Sequence, residues 1–156
     1  MSSNPENPVV YKLALSKLTK LCSSKEICTS EASKKLDSID ISECDKNLII
    51  TYLTENKYIN DRRYTAAFVN DKIRFQKWGH SRIKQELSRR KISFSIIEEA
   101  ISLFDKEEYE DMMKAELLKK QKIMGGINNA SDKARLFRFG ASRGYDMDFL
   151  YRYLNL

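Results

Sequence analysis

The sequence predicts an all-α protein made of three tandem three-helix repeats that form an elongated, curved helical array. Both prolines, Pro5 and Pro8, lie at the amino terminus, so the residue that most strongly interrupts a helix is absent from the rest of the chain. Apolar residues recur at helical spacing along the whole sequence. Three segments also share the same internal spacing at offsets of 51 and 53 residues, which indicates tandem units.

The composition is that of a folded chain. The 156 residues are 42% hydrophobic and 32% charged, whereas disordered proteins combine low hydrophobicity with a large uncompensated charge. No apolar stretch is long enough to cross a bilayer, and the first residues lack the pattern of a signal peptide. We therefore expect a cytoplasmic protein without membrane contact. Its three cysteines, an odd number, are expected to be reduced thiols with a buried structural role.

The first repeat is predicted to contain three helices. Pro8 suits the first turn of the first helix. Ser23 and Glu26 match a capping box, which we expect to open the second helix. Ser42 is predicted to cap the third helix, which should end near Asn56. The apolar face of the first helix comprises Tyr11, Leu15, Leu18 and Cys22, and that of the third comprises Leu48, Ile49, Tyr52 and Leu53.

The second repeat has clearer boundaries. Asn60 or Asp61 is predicted to cap the fourth helix, which Gly79 closes, and Ser95 with Glu98 is predicted to open the sixth as a capping box. The predicted inward residues are Tyr64, Ala67, Phe68 and Phe75 in the fourth helix, Ile83 and Leu87 in the fifth, and Ile97, Ala100, Ile101 and Phe104 in the sixth.

The third repeat begins with a long helix that Asp105 starts and Gly125 ends. Two shorter helices are predicted over residues 131–142 and 146–153. Gly144 lies between them, where glycine allows the left-handed turn out of a helix.

Aligning the three repeats gives the domain boundaries. We predict a flexible segment at residues 1–8, followed by repeats at 9–56, 57–104 and 105–156. Three-helix units are too small to bury their own faces well, so they should pack on their neighbours. The aligned positions are Leu36, Leu87 and Gly140, then Ile41, Ile92 and Tyr145, then Ile50, Ile101 and Leu154.

The positive charge is concentrated in the second repeat. Eleven lysines or arginines and three acids lie between Lys57 and Ile92, although the whole chain has a net charge of +6. Such a surface suits either nucleic-acid phosphates or carboxylates on a protein, and the sequence leaves both open. Trp78 and Phe75 lie among these charges, but aromatic residues at helical spacing are expected in the core. The candidate contact residues are Arg62, Arg63, Lys72, Arg74, Lys77, Arg82, Lys84, Arg89, Arg90 and Lys91.

The sequence shows no constellation typical of catalysis, so we predict no catalytic, cofactor-binding or metal-binding residues and no enzyme activity. The single histidine, His80, has no nucleophile motif beside it and is expected to cap a helix or lie at the surface. Phosphate-binding glycine loops and zinc motifs are missing from the sequence. The acidic run from Glu98 to Asp111 is explained by helix caps and helix dipoles, with an acidic contact patch as the alternative.

One segment is similar to a known family. Residues Tyr58 to Val69, with the sequence YINDRRYTAAFV, resemble the central signature of the RecX regulatory proteins. The similarity continues in the family's order and spacing with Lys77-Trp78-Gly79, Arg82-Ile83, Glu86-Leu87 and Ile92. The chain departs from the family at Asp40 and Lys91, where glycine is common, and at His80, where proline is frequent.

The resemblance implies the same three three-helix repeats. It also implies a protein that binds the RecA–DNA filament, contacts single- or double-stranded DNA, and inhibits recombinase and coprotease activity in DNA repair, recombination and the SOS response. Separately from the resemblance, we expect the protein to be a monomer. The alternative is a helical DNA-binding protein that acts independently of RecA.

Overall fold

A computed structural model describes residues 4–156, and within that range it contains nine helices and no strand. This confirms the predicted all-α class. None of these helices has both the length and the apolar character that crossing a membrane requires. The helices are α1 (Pro8–Ser24), α2 (Thr29–Asp37), α3 (Glu43–Glu55), α4 (Asp61–Arg74), α5 (His80–Arg89), α6 (Phe94–Leu103), α7 (Lys106–Ile123), α8 (Ala130–Arg143) and α9 (Met147–Leu154).

The chain divides into two compact units, the first ending at Tyr64 and the second beginning at Thr65. The boundary falls within the first turn of α4. Nothing in this division tests the three predicted repeat boundaries, which stay predictions.

The first unit packs α1, α2 and α3 around one apolar core. Asp45 is buried at 1% exposure, and its carboxylate accepts hydrogen bonds from the backbone amides of Glu6 and Asn7 at 2.7 and 3.0 Å. These bonds tie the segment before α1 to α3. Residues 1–3 of the segment predicted to be flexible lie outside the described residues. The core comprises Ala14, Leu18, Ile27, Ala32, Leu36, Ile49, Leu53 and Ile59.

The predicted start of α2 is wrong. Ser23 lies inside α1, where its hydroxyl donates to the carbonyl oxygen of Thr19 at 2.9 Å. Ser23 belongs to the last turn of α1, which ends at Ser24, so the motif coincides with the end of one helix and not with the start of the next. The second helix instead begins after Cys28, and the amide of Thr29 donates to the carboxylate of Asp61 at 2.8 Å.

The predicted caps of α3 and α7 are confirmed, whereas that of α6 is wrong by two residues. The hydroxyl of Ser42 accepts from the amide of Asp45, and Asp105 accepts from the amide of Glu108 at 2.8 Å. In α6 the capping hydroxyl belongs to Ser93 and not to Ser95. Residue 94 is already helical, so the chain enters the helix before the Ser95 motif.

The predicted inward face of α4 is partly wrong. Tyr64 is buried as predicted, but Ala67 is exposed and Phe75, one residue beyond the helix end, is 75% exposed. Two other α4 residues, Val69 and Ile73, each 1% exposed, occupy the core instead. The buried stripe is therefore rotated relative to the predicted one.

The turns from α5 to α6 and from α8 to α9 have the same geometry, although Lys91 replaces the glycine that is common at this junction in the family. Lys91 and Gly144 adopt left-handed φ angles of 56° and 85°. Asp40, at the corresponding place in the first repeat, has no positive φ. In both left-handed turns the next amide donates to a carbonyl five residues earlier: Ile92 to Leu87 at 3.2 Å, and Tyr145 to Gly140 at 3.0 Å.

The cysteines are unpaired, as expected, but they differ in burial. Cys28 is buried and Cys22 is half-buried, whereas Cys44 is exposed near the start of α3. The expected buried role is therefore wrong for Cys44.

Candidate functional site

The ten predicted cationic contacts are divided between the two units, with Arg62 and Arg63 in the first. The guanidinium of Arg63 binds the Glu26 carboxylate at 2.9 Å and donates to the carbonyl oxygens of Lys57 and Tyr58. Hydrogen bonding to Glu26 raises the pKa of Arg63 above its ordinary value. Arg63 therefore fastens the segment between α3 and α4 as well as carrying charge at the surface.

The second unit gathers three of the predicted cations on two aromatic rings, and we call this group the cation–aromatic cluster. The rings of Phe68 and Trp78 meet edge to face with centroids 6.2 Å apart. The Lys72 ammonium lies 4.9 Å from the Trp78 centroid and 5.3 Å from that of Phe68. Arg82 lies 4.2 Å from the Trp78 ring, and Arg90 lies 5.1 Å from the Phe68 ring. Aromatic faces attract cations, so these side chains are held close together.

Local chain geometry builds the cluster. Phe68 and Lys72 are four residues apart on α4 and so lie on the same helical face. Lys77 adopts a φ of 59°, and the amide of the next residue, Trp78, donates to the carbonyl oxygen of Lys72 at 3.0 Å. This turn places the indole ring beside α4. Arg82 then reaches the ring from α5.

Two glycines fix the start of α5 against the turn between α8 and α9. The amide of Gly79 donates to the carbonyl oxygen of Arg143 at 2.7 Å, and a Cβ atom on Gly79 would lie 2.1 Å from the carbonyl oxygen of Gly144. A Cβ atom on Gly144 would likewise lie 2.6 Å from that of Arg82. The two backbones approach so closely that neither position accepts a side chain, and this contact sets the position of Arg82.

Ion pairing separates the candidate cations into two groups. Arg74 binds Glu108 at 2.8 Å, Lys84 binds Glu98 at 2.9 Å, and both Arg89 and Arg90 bind Glu86. Across residues 4–156, four candidates have no carboxylate at ion-pair distance, and these four are the cations most available to an external anion: Lys72, Lys77, Arg82 and Lys91.

Part of the acidic run has a role that sequence reasoning missed. Asp105 caps a helix as predicted, but Glu98 and Glu108 neutralise cations of the basic region. Arg74 and Glu108 are 34 residues apart, and no local pattern indicates their pairing. Hydrogen bonding to Glu108 also raises the pKa of Arg74.

The two aromatic residues predicted to be core occupy different environments. Trp78 is half-buried, and because Lys72 and Arg82 already contact its ring, it is not a free platform for stacking a base. Phe75 is exposed, and the core prediction is wrong for it. The cluster therefore presents positive charge more than aromatic surface.

His80 is the first residue of α5, in accord with a role at a helix start, and its ring belongs to a half-buried network. Its ring stacks on Tyr109 with centroids 3.7 Å apart, and Nδ1 lies 3.5 Å from the Asp146 carboxylate. The Tyr109 hydroxyl accepts from the His80 amide at 2.9 Å and donates to Asp146 at 3.0 Å.

The environment of this network shifts the pKa values of two of its members. Burial, more than any other cause, raises the pKa of Tyr109. Burial alone would raise the pKa of Asp146, but the contacts with His80 and Tyr109 lower it. A phenol with a raised pKa holds its proton, so the network is suited to fastening α5, α7 and α9.

Comparison with known proteins identifies the family. A family model for the second three-helix domain of RecX matches residues 60–101. The regulatory protein RecX of Vibrio parahaemolyticus serotype O3:K6 is 31% identical over 120 residues, covering 76% of this chain and 74% of that protein. The chain belongs to the RecX family. This is a family of regulatory proteins, and the three-helix domain that it defines supports the predicted three-helix repeat.

Some RecX relatives extend well beyond the part that this chain matches. The RecX of Clostridium botulinum strain Eklund 17B is 29% identical over 122 residues, which cover 73% of the chain but only 55% of that relative. The chain thus spans about half the length of this relative.

Solved RecX structures share the fold. The crystal structure of RecX from Lactobacillus salivarius has a TM-score of 0.84 and 20% identity, covering 92% of this chain and 94% of that one. A second RecX crystal structure has a TM-score of 0.82 and 23% identity over 93% of this chain and 71% of that one. The matched RecX second domain includes α4, α5 and most of α6, so the cation–aromatic cluster lies inside it.

Proposed function

We propose that this chain binds the RecA–DNA filament and inhibits recombinase and coprotease activity in DNA repair, without catalysing a reaction. The observation that supports this most strongly is the cation–aromatic cluster inside the RecX second domain. Its Lys72 and Arg82 are held on Trp78 and have no carboxylate partner among the described residues. A cation that has already been positioned loses less side-chain freedom when it binds an anion.

We further propose the oligomeric state, the compartment and the DNA contacts that the sequence predicts. The protein acts as a monomer in the cytoplasm, and its contacts with the filament include single- or double-stranded DNA. The ten cations predicted from the sequence are the candidate contacts, with Lys72, Lys77, Arg82 and Lys91 most available.

The test adds the purified protein to preformed RecA filaments and follows ATP hydrolysis and strand exchange. The proposal expects both rates to fall at stoichiometric protein, and unchanged rates would overturn it. The variant Lys72→Glu with Arg82→Glu should weaken this inhibition. The matched control, Lys12→Glu with Lys20→Glu, reverses two exposed α1 lysines that form no ion pair among the described residues, and should inhibit like the wild type.

The same available cations favour a second candidate function, DNA binding that is independent of RecA. Lysine and arginine release counterions when they bind phosphates, so binding by this surface weakens as salt rises. Binding to naked DNA as tight as binding to the filament, with no change in RecA activities, would favour this function over filament regulation.

A further inference from the structure

We propose that a cleft between α8 and α9 binds an acidic protein segment through one bulky apolar side chain. This goes beyond the proposed function, because the cleft contains none of the ten cations assigned to the filament surface. Its volume is about 330 Å³, which exceeds that of a single leucine or phenylalanine side chain. The cleft is lined by Ala130, Lys133, Ala134, Phe137, Arg138, Tyr151 and Leu156.

The cleft follows one face of α8. Ala130, Ala134 and Phe137 succeed each other at four- and three-residue spacing, which places them on the same side of the helix. The two alanines leave the floor open where larger side chains would fill it. An open apolar floor along a helix is the kind of groove that accepts an apolar anchor from a partner.

Aromatic and apolar side chains form the walls. The rings of Phe137 and Tyr151 lie with centroids 5.5 Å apart, and the Tyr151 side chain is 48% exposed. Asn155 adopts a left-handed φ of 54°, and the amide of Leu156 donates back to the carbonyl oxygen of Tyr151 at 3.0 Å. This turn holds Leu156 at the cleft, although the residue remains 62% exposed.

Charge on the rim identifies the partner. Lys133 and Arg138 line the cleft, and no carboxylate of the described chain lies at ion-pair distance from either side chain. By contrast, Arg135 on the same helix is paired with Asp132. The occupant that satisfies both the apolar floor and these two cations is a peptide segment with carboxylates on either side of a leucine or phenylalanine.

Fluorescence anisotropy with the full chain tests this. The probe is a short fluorescein-labelled peptide in which glutamates flank one central leucine. Matched peptides replace either every glutamate by glutamine or the leucine by alanine. We expect the acidic leucine peptide to bind, and each matched peptide to bind at least about fivefold more weakly, because each lacks one of the two complementary features.

Protein variants locate the binding. Ala134→Leu fills the floor and should weaken binding at least about tenfold, since it prevents burial of the peptide's apolar side chain. Ala134→Ser leaves the cleft open and should bind like the wild type. Lys133→Glu with Arg138→Glu should also weaken binding, whereas Lys34→Glu with Lys35→Glu on α2 should not. Far-ultraviolet circular dichroism checks that each variant keeps its helicity.

Several results would overturn the proposal. One is no binding of the acidic leucine peptide, or binding that Ala134→Leu leaves unchanged. Another is displacement of the peptide by an oligonucleotide that binds the Ala134→Leu variant as tightly as it binds the wild type. This result would assign the rim cations to nucleic acid. A third is self-association that Ala134→Leu abolishes, which would assign the cleft to a second copy of the chain. None of these results affects the RecA filament assay, so the two proposals fail separately.

Discussion

Three lysines adopt left-handed backbone conformations at the ends of helices. Lys57, Lys77 and Lys91 have φ angles of 61°, 59° and 56°. A residue with a Cβ atom is strained there by roughly 1–2 kcal/mol, whereas glycine is not. Gly144 occupies the equivalent turn between α8 and α9 without this strain.

Replacing Lys91 by glycine should therefore stabilise the protein. The relief of strain outweighs the greater freedom of glycine in the unfolded chain, so we expect a gain of about 0.5 kcal/mol in the free energy of unfolding. Urea denaturation followed by circular dichroism measures it. Lys91→Ala, which removes the charge but keeps the Cβ atom, should show no such gain, and a lower urea midpoint for Lys91→Gly would contradict the argument.

Gly79→Ala should have the opposite effect. The new methyl carbon would lie 2.1 Å from a backbone oxygen of Gly144, so the turn between α8 and α9 must move. We expect a loss of about 2–3 kcal/mol in the free energy of unfolding, as is typical of overpacking against a rigid neighbour. Ser81→Ala is the matched control at an exposed neighbouring position, and equal urea midpoints for the two variants would refute the close contact.

Tyr145 should make stability fall at alkaline pH. The side chain is 1% exposed, its hydroxyl donates to the carbonyl oxygen of Lys77 at 3.0 Å, and burial raises the pKa of Tyr145 to about 12. Between about pH 10, the ordinary tyrosine pKa, and about pH 12, the unfolded chain loses this proton while the folded chain keeps it. The free energy of unfolding then decreases as pH rises.

Urea denaturation across this pH range measures the effect for the wild type and for Tyr145→Phe. The variant should be less stable at neutral pH, since it lacks the hydrogen bond, but its stability should decline less steeply with pH. Tyr109, whose pKa is also raised, should contribute part of the decline in the free energy of unfolding with pH in both proteins. Tyr151→Phe, at an exposed position, should decline like the wild type. Identical slopes for Tyr145→Phe and the wild type would exclude this role.

At the scale of the helices, sequence reasoning succeeds where the deciding interaction is local. The side chains of Ser42 and Asp105 cap α3 and α7 by accepting hydrogen bonds from amides three residues later, and a spacing this short can be recognised in the sequence. Sequence reasoning fails at Ser23, which lies in the last turn of α1, and at Ser95, which lies inside α6, because the same motif also occurs within helices. Phe75 shows the same limitation, since its exposure depends on how distant elements pack against α4.

One buried carboxylate connects elements that the sequence does not associate. Asp45 on α3 accepts hydrogen bonds from the amides of Glu6 and Asn7, and Asn7 in turn caps α1. Asp45→Ala leaves two amides without their charged acceptor, so we expect the free energy of unfolding to fall by about 2 kcal/mol. Urea denaturation measures this, with the exposed Asp40→Ala as the control. Faster amide exchange at the start of α1 should accompany the loss, and unchanged stability would show that water replaces the carboxylate.

At the scale of the whole molecule, the sequence locates the positive charge but does not show how much of it is available. The basic segment is evident from composition alone. The partners of Arg74 and Lys84, however, lie on other helices, so ion pairing became visible only in the folded chain. Counting charges in the sequence therefore overstates the number of cations that can bind a partner without first breaking an ion pair within the chain.

This distinction predicts different salt dependence for two variants of equal charge. Lys72→Glu with Arg82→Glu reverses two available cations of the cation–aromatic cluster, whereas Arg74→Glu with Lys84→Glu reverses two that already bind Glu108 and Glu98. Each phosphate contact adds about 0.7 to 0.9 to the slope of log affinity against log salt concentration. The first variant removes two phosphate contacts and should therefore lower the slope for single-stranded DNA by about 1.4, whereas the second should lower it by much less. Anisotropy titrations over a series of salt concentrations measure both slopes, and equal reductions would mean that ion pairing does not limit which cations reach DNA.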